Sequence, residues 1–264
     1  MISDLTETVL AWEVLLSPLV RVRPRVPSGV RVYAVGDIHG RDDILAELFT
    51  LIDQDLEASP SARSIEVFLG DYIDRGPHSR QVLDLLIARR RQHLAVFLKG
   101  NHEAYAYQVL SDPSMLSDWV HIGGLNTLLS YGVEPSGCDR DRQAQQAIAT
   151  AFRQALPDSH YHFLQDLALS FSCGDYFFVH AGVRPGIPLI RQSEQDLLWI
   201  RDEFLLHEED FGKVVVHGHS PTNLPDIRPN RINIDTGAYA TGRLTCLVLE
   251  SDGMRFLYNL PSYQ

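Results

Sequence analysis

Five apolar runs in this chain each stop on a cluster of Asp, Asn or His, and that repetition restricts the fold more than any other feature. The runs are VYAVGDIHG, SIEVFLGDYIDRG, HLAVFLKGNHE, YFFVHAG and KVVVHGHS. They place Asp37 with His39, Asp71 with Asp74, Asn101 with His102, then His180, then His217 with His219, directly after residues that favour strands. Between the first three runs the apolar period changes to that of a helix. Ile44, Leu45, Leu48, Leu51 and Ile52 share one face, and PHSRQVLDLLIARR repeats the pattern with Ser79 near its start. Strand, helix, strand in alternation predicts an α/β fold. In open α/β sheets ligands gather outside the carboxyl ends of the strands, where residues distant in sequence meet.

Residues 103–167 carry no strand signal and predict a helical insertion, with helices over 118–131 and 142–156. Strands return at LALSF, YFFVHAG, KVVVHGH, RINIDTG and LTCLVLE, which predict a second sheet, with a helix near 193–206. Residues 1–29 read as an N-terminal arm and connector, and 30–264 as a single catalytic domain. The arm is apolar from 9 to 20 and suits a helix, but Glu13 interrupts it, acidic residues precede it and it is too short to span a bilayer. RVRPRVPSG then suits an irregular linker with solvated arginines.

With 264 residues and 45% apolar composition the chain can bury a large core, so disordered and fibrous classes are excluded. A net charge of -11 disfavours stable nucleic-acid binding, although cations can make one pocket attractive to anions. Cys138, Cys173 and Cys246 are odd in number and lack CxxC spacing, so no disulfide framework or zinc ribbon is expected and the cytoplasm is the expected compartment.

Carboxylate, imidazole and Asn oxygen form a mixed donor set that suits Mn²⁺, Fe or Zn²⁺, whereas Mg²⁺ and Ca²⁺ prefer oxygen alone. A carboxylate shared by two cations about 3.5 to 4 Å apart is the arrangement used for displacement at phosphorus. Each cluster also has a plainer explanation. Asp before Gly suits a turn or helix cap, and a histidine on an apolar strand, such as His180, suits a hydrogen-bonded core. His217 and His219 point the same way along a strand, so one can ligate while the other supports it. Turns alone do not account for all five clusters together.

Taken in order, GDIHG, GDYIDRG, GNHE, HAG and HGHS resemble the phosphoprotein phosphatase family of binuclear metallophosphoesterases, its bacterial Ser/Thr protein phosphatase branch in particular, over residues 32–249. That resemblance implies a calcineurin-like fold of two stacked mixed β-sheets flanked by helices. It implies that Asp37 and His39 bind one cation, that Asp71 bridges, and that Asn101, His180 and His219 bind the other. His102 is implied to protonate the leaving group, Asp74 to orient it, and Arg75 and Arg201 (in LLWIRDEF) to hold phosphate oxygens. The implied cofactors are two divalent ions, Mn²⁺ first and Fe or Zn²⁺ as alternatives. The implied reaction is attack of a metal-bridging hydroxide on a phosphoprotein; no membrane partner is expected, because the chain offers no spanning segment.

Two other functions stand beside it. A symmetrical diadenosine polyphosphate or other nucleotide hydrolase keeps the chemistry; such enzymes resemble GNHD where this chain has GNHE, which leans toward the protein phosphatase. A non-catalytic scaffold would be expected to have lost a ligand or the proton donor, and none is missing. Many relatives have HGHT where HGHS stands here. Tyr239 in DTGAYATG is open between packing and substrate contact, and Glu103 between an acceptor behind the site and an acid favoured at a helix start.

Overall fold

The computed structural model describes residues 23–137 and 141–259; the expected N-terminal helix and Cys138 lie outside them. The first half alternates as the periodicity requires: β1 (Val30–Val35), α1 (Asp42–Ala58), β2 (Arg63–Phe68), α2 (Ser79–Arg90) and β3 (Ala95–Phe97). The insertion follows as α3 (Asn101–Val109), α4 (Leu116–Trp119), α5 (Leu125–Ser130), α6 (Arg142–Ala155) and α7 (Asp158–Gln165). The remainder is β4 (Ser170–Cys173), β5 (Tyr176–Val179), α8 (Glu194–Trp199), α9 (Asp202–Leu205), β6 (Val214–His217), β7 (Asp226–Ile227), β8 (Arg231–Asn233), α10 (Ala238–Thr241), β9 (Thr245–Glu250) and β10 (Gly253–Tyr258).

Two mixed five-stranded sheets result, ordered β10-β9-β1-β2-β3 and β4-β5-β6-β8-β7. Alternation along each strand assigns its side chains to layers. Val32, Ala34, Val67, Leu247 and Leu249 meet Phe178, Val216 and Ile232 of the other sheet, whereas Tyr33, Val35 and Phe68 face Leu45, Leu48, Leu83 and Leu86 of α1 and α2. Phe177, Val179 and Val215 cover the far side of the second sheet against Leu197, Ile200 and Phe204. Strands buried on both faces read as continuous apolar runs, which is why these do. Each such side chain contributes roughly 1.5 to 3 kcal/mol relative to exposure.

Three expectations need correction. LTCLVLE joins the first sheet, not the second: β9 runs antiparallel to β1, with Val32 opposite Leu249, and turns back through Ser251 into β10. Periodicity identifies a strand without saying which sheet accepts it. The linker is only partly a linker, because Val26 is buried in the inter-sheet core, its N–H donates to Ser251 O at 3.0 Å, and Arg25 N–H donates to Asp175 Oδ2 at 2.9 Å. The helix expected over 118–131 breaks into α4, a π-turn over Val120–Gly124, and α5, because Gly123 adopts φ 127°. Among the described residues no helix is long and apolar enough to cross a membrane.

Candidate active site

Parallel pairing of β1, β2 and β3, and of β5, β6 and β8, aligns their carboxyl ends. Asp37 and His39 follow β1; Asp71, Asp74 and Arg75 follow β2; Asn101 and His102 open α3 after β3; His180 follows β5; His219 follows β6. All of the carboxylates, histidines and Asn101 in this set are buried. Gly100, at the N-cap of α3, is required where the chain passes Asp71, since a Cβ there would lie 2.1 Å from Asp71 Oδ1.

Asp71 is the centre. Its carboxylate lies 3.5 Å from His39 Nε2, 3.4 Å from His180 Nε2 and 3.7 Å from His102 Nε2. Asn101 Oδ1 lies 2.9 Å from His180 Nε2 and 3.0 Å from His219 Nδ1. Two groups of donor atoms, each within 4.8 Å of one another, therefore share Asp71: His39, Asp71 and His102, and Asp71, His180 and His219. The first group holds His102 where the resemblance implied Asp37. Asp37 is turned to accept the His219 N–H at 3.0 Å, and its buried Oδ1 has no partner at all. An unpartnered buried carboxylate oxygen at the rim of such a cluster is the open valence a cation would fill.

The electrostatics point the same way. Burial, and then the Asp235 and Asp71 charges, push the Asp37 carboxyl well above its usual range. Burial raises Asp71 too, but His180, His102, His39 and His219 around it hold it below the ordinary carboxylate value. Burial drives His39 down to about 3 and His219 to about 2, and lowers His180 as well. These imidazoles are neutral at physiological pH, as metal ligands must be. Carboxylate oxygens, neutral ring nitrogens and one amide oxygen make a set that fits divalent cations.

Beside this cluster, His102 Nδ1 donates to Asp74 Oδ2 at 2.7 Å, which leaves Nε2 facing the site 3.2 Å from Arg75 Nη2. Burial opposes charging His102, yet Asp71 and the bond to Asp74 prevail and its pKa is raised. Asp74 is held by residues the sequence did not flag. Trp119 Nε1 donates to its Oδ2 at 2.8 Å, the Thr127 hydroxyl donates to its Oδ1, and its own N–H donates to Ser79 Oγ at 3.0 Å and Thr127 Oγ1 at 2.9 Å. Ser79, expected near a helix cap, is the first residue of α2 and also serves this loop. The signal available was a Trp and a Thr inside the helical insertion, flanking the Gly pair at 123 and 124.

Glu103 now has a defined task. Its two carboxylate oxygens accept from the backbone N–H groups of Asp71 (2.8 Å), Tyr72 (2.7 Å), Ile73 (3.2 Å) and Gly100 (3.0 Å). Burial and the Asp71 charge push this carboxyl up to about 8, while the four donors favour the carboxylate, the only form that can accept from all of them. Both earlier readings hold in part: it caps the start of α3 and clamps the Asp71 loop. Glu103→Gln turns an NH₂ group toward two of those donors. The expected loss is about 3 kcal/mol or more, a fall in Tm of about 6 to 12 °C; calorimetry of the metal-free protein checks it, and an unchanged Tm contradicts the clamp.

Arg201 reaches the cluster, with Nε 3.2 Å from His219 Nε2. His217 does not: it packs edge-on against Phe204 at 4.8 Å, its Nε2 is unpartnered, and burial lowers it to about 3. Tyr239 is 40% exposed, 5.5 Å from the His39 ring, with the Arg75 guanidinium 5.0 Å from its ring centre. Asp235 was not singled out, yet it is buried within hydrogen-bond reach of Asp37, and burial pushes it up to about 6.

The pattern of the calcineurin-like phosphoesterase family matches residues 30–253. A bis(5′-nucleosyl)-tetraphosphatase PrpE [asymmetrical] of Anoxybacillus flavithermus is 27% identical over 241 residues, covering 81% of this chain and 88% of its own. A crystal structure provisionally named a diadenosine tetraphosphatase aligns at TM-score 0.60 and 20% identity, over 92% of this chain and 96% of its own. A protein serine/threonine phosphatase of Saccharomyces cerevisiae aligns at TM-score 0.54 and 15% identity, over 89% of this chain and 81% of its own. The Anoxybacillus protein and a Bacillus mycoides relative, 26% identical over 238 residues, covering 81% of this chain and 88% of its own, carry a bis(5′-nucleosyl)-tetraphosphatase name, not the Ser/Thr phosphatase name that the motifs suggested.

Proposed function

The chain belongs to the calcineurin-like phosphoesterase family, and from that premise we propose that it is a metal-dependent hydrolase of dinucleoside polyphosphates. The donor cluster around Asp71, beside the His102–Asp74 pair, is the observation that supports the chemistry. The name shared by the sequence relatives supports the substrate class. GNHE leaned the other way, but Glu103 is 1% exposed and its oxygens are taken up by backbone N–H groups. A residue so placed holds a loop and does not face a substrate, so it gives no ground for preferring phosphoprotein.

Asp37, His39, Asp71, Asn101, His180 and His219 would hold two divalent cations, and such cations acidify water and neutralise phosphoryl oxygens. Arg75 and Arg201 bind phosphate oxygens through planar guanidinium groups that match them bidentately. His102 delivers a proton from Nε2 to the leaving oxygen. Asp74 keeps Nδ1 engaged, so that Nε2 alone faces the substrate, and Trp119 and Thr127 keep Asp74 from turning away.

A side-by-side assay of the metal-loaded enzyme on diadenosine tetraphosphate, a phosphoserine peptide and a phosphotyrosine peptide tests the substrate class through kcat/KM ratios. The expected result is a preference for the dinucleotide of about 10-fold or more, equivalent to roughly 1.4 kcal/mol in transition-state binding. ATP and AMP as products would fit the asymmetrical relatives; two ADP molecules would fit the symmetrical cleavage suggested by sequence alone. A preference for either peptide sinks the nucleotide reading and leaves the hydrolytic one.

A further inference from the structure

We propose that Tyr239 is the residue that positions the Arg75 guanidinium for phosphate, an inference that rests on the reading of Arg75 as a phosphate-binding residue. The two ends of Arg75 are held by different parts of the fold. Its backbone, at φ 65°, is fixed by the π-turn: the Arg75 N–H donates to Gly123 O at 3.2 Å and the Asn126 side-chain amide donates to Arg75 O. A Cβ on Gly123 would lie 2.8 Å from Arg75 Cγ, so glycine is needed for that approach.

The guanidinium is held differently. Three other arginines are gripped by carboxylates: Arg31 by Asp55 and Glu250, Arg89 by Asp53 and Glu66, Arg184 by Asp196 and Glu203. Among the described residues, Arg75 forms no such ion pair. Its Nη2 lies 3.2 Å from His102 Nε2, and its guanidinium carbon lies 5.0 Å from the centre of the Tyr239 ring. The difference matters for function. A carboxylate at this place would compete with phosphate for the same N–H donors, whereas an aromatic face attracts the cation and leaves those donors free.

Tyr239 is itself well placed to act as a fixed wall. It lies on α10, a short turn entered through Gly237 and left through Gly242, both left-handed. Thr241 Oγ1 donates to Thr236 O at 2.9 Å, and Arg41 Nη1 donates to Ala238 O at 3.2 Å. The ring meets His39 edge-on at 5.5 Å, so it spans the gap between a metal-ligand histidine and the phosphate-binding arginine. Losing the ring frees a long side chain that must be ordered again each time phosphate binds.

The probe is inorganic phosphate, measured as a competitive inhibitor of p-nitrophenyl phosphate hydrolysis by the metal-loaded enzyme. Tyr239→Leu should raise the inhibition constant by roughly 3- to 30-fold, the range a cation–π contact spans. Tyr239→Phe should stay within about 2-fold of the wild type, and Tyr239→Met, which keeps apolar bulk without a ring, should match Leu. Against an Arg75→Ala background, Tyr239→Leu should add nothing, as a residue acting through Arg75 requires. An equal fold loss on both backgrounds, or no loss in either ring-free variant, overturns the positioning role. If Arg75→Ala alone leaves phosphate inhibition unchanged, the assignment of Arg75 fails first and this proposal with it.

Discussion

Asp71→Asn is expected to release bound metal and to remove hydrolytic activity with it. Asp71 stands within 3.4 to 3.7 Å of three imidazole nitrogens and belongs to both groups of convergent donor atoms. Asn has no charge and offers one oxygen where the carboxylate offers two, so it cannot serve two cations at once. Losing a mere outer partner of a ligand already lowers metal affinity about 10- to 100-fold, and losing the shared ligand should exceed about 100-fold on that scale. Folding should survive. Asp71 has φ 51°, a left-handed conformation that Asn tolerates as well as Asp does. Metal analysis after gel filtration, alongside turnover, checks both halves; two ions retained per chain would exclude Asp71 as the bridge.

His102→Asn should separate substrates by leaving group. General-acid catalysis contributes about 10² to 10⁴ in rate, and an alkyl phosphate, whose leaving oxygen is strongly basic, should lose that full factor. An aryl phosphate or a dinucleoside polyphosphate expels a stable oxyanion and should lose much less. The proposed role is supported by the neighbours of His102: Asp74 occupies Nδ1, and Asp71 favours the charged ring despite burial. Equal losses across all leaving groups would mean that His102 does something other than donate a proton.

Much of this site can be read from the chain before folding because strand ends carry it. GDIHG, GDYIDRG, GNHE, HAG and HGHS each combine an apolar run with a donor, and parallel pairing does the rest. What sequence order does not reveal is contact made through the insertion. Trp119 and Thr127 reach Asp74 only because the expected long helix breaks at Gly123. Nor does local pattern distinguish two histidines in VHGHS: His217 ends β6 and packs on Phe204, whereas His219 lies in the loop beyond it and meets Asn101. β9 shows the limit for the fold, since its period matched a buried strand while its partner, β1, lies more than 200 residues earlier. The substrate is the least legible part. A single carboxylate, Glu103, leaned toward phosphoprotein until its hydrogen bonds showed that it supports backbone.

Six non-glycine residues among those described have positive φ, and five of them, His39, Asp71, Asp74, Arg75 and His219, are candidate site residues. Left-handed backbone costs a residue with a side chain roughly 1 to 2 kcal/mol, and glycine at the same place is relieved of it. For anyone evolving this protein in the laboratory, heat resistance and turnover therefore pull in opposite directions at these positions. A screen that rewards survival at high temperature alone would accept glycine at Arg75 as an improvement, and would enrich well-folded chains that lack the guanidinium proposed to bind phosphate.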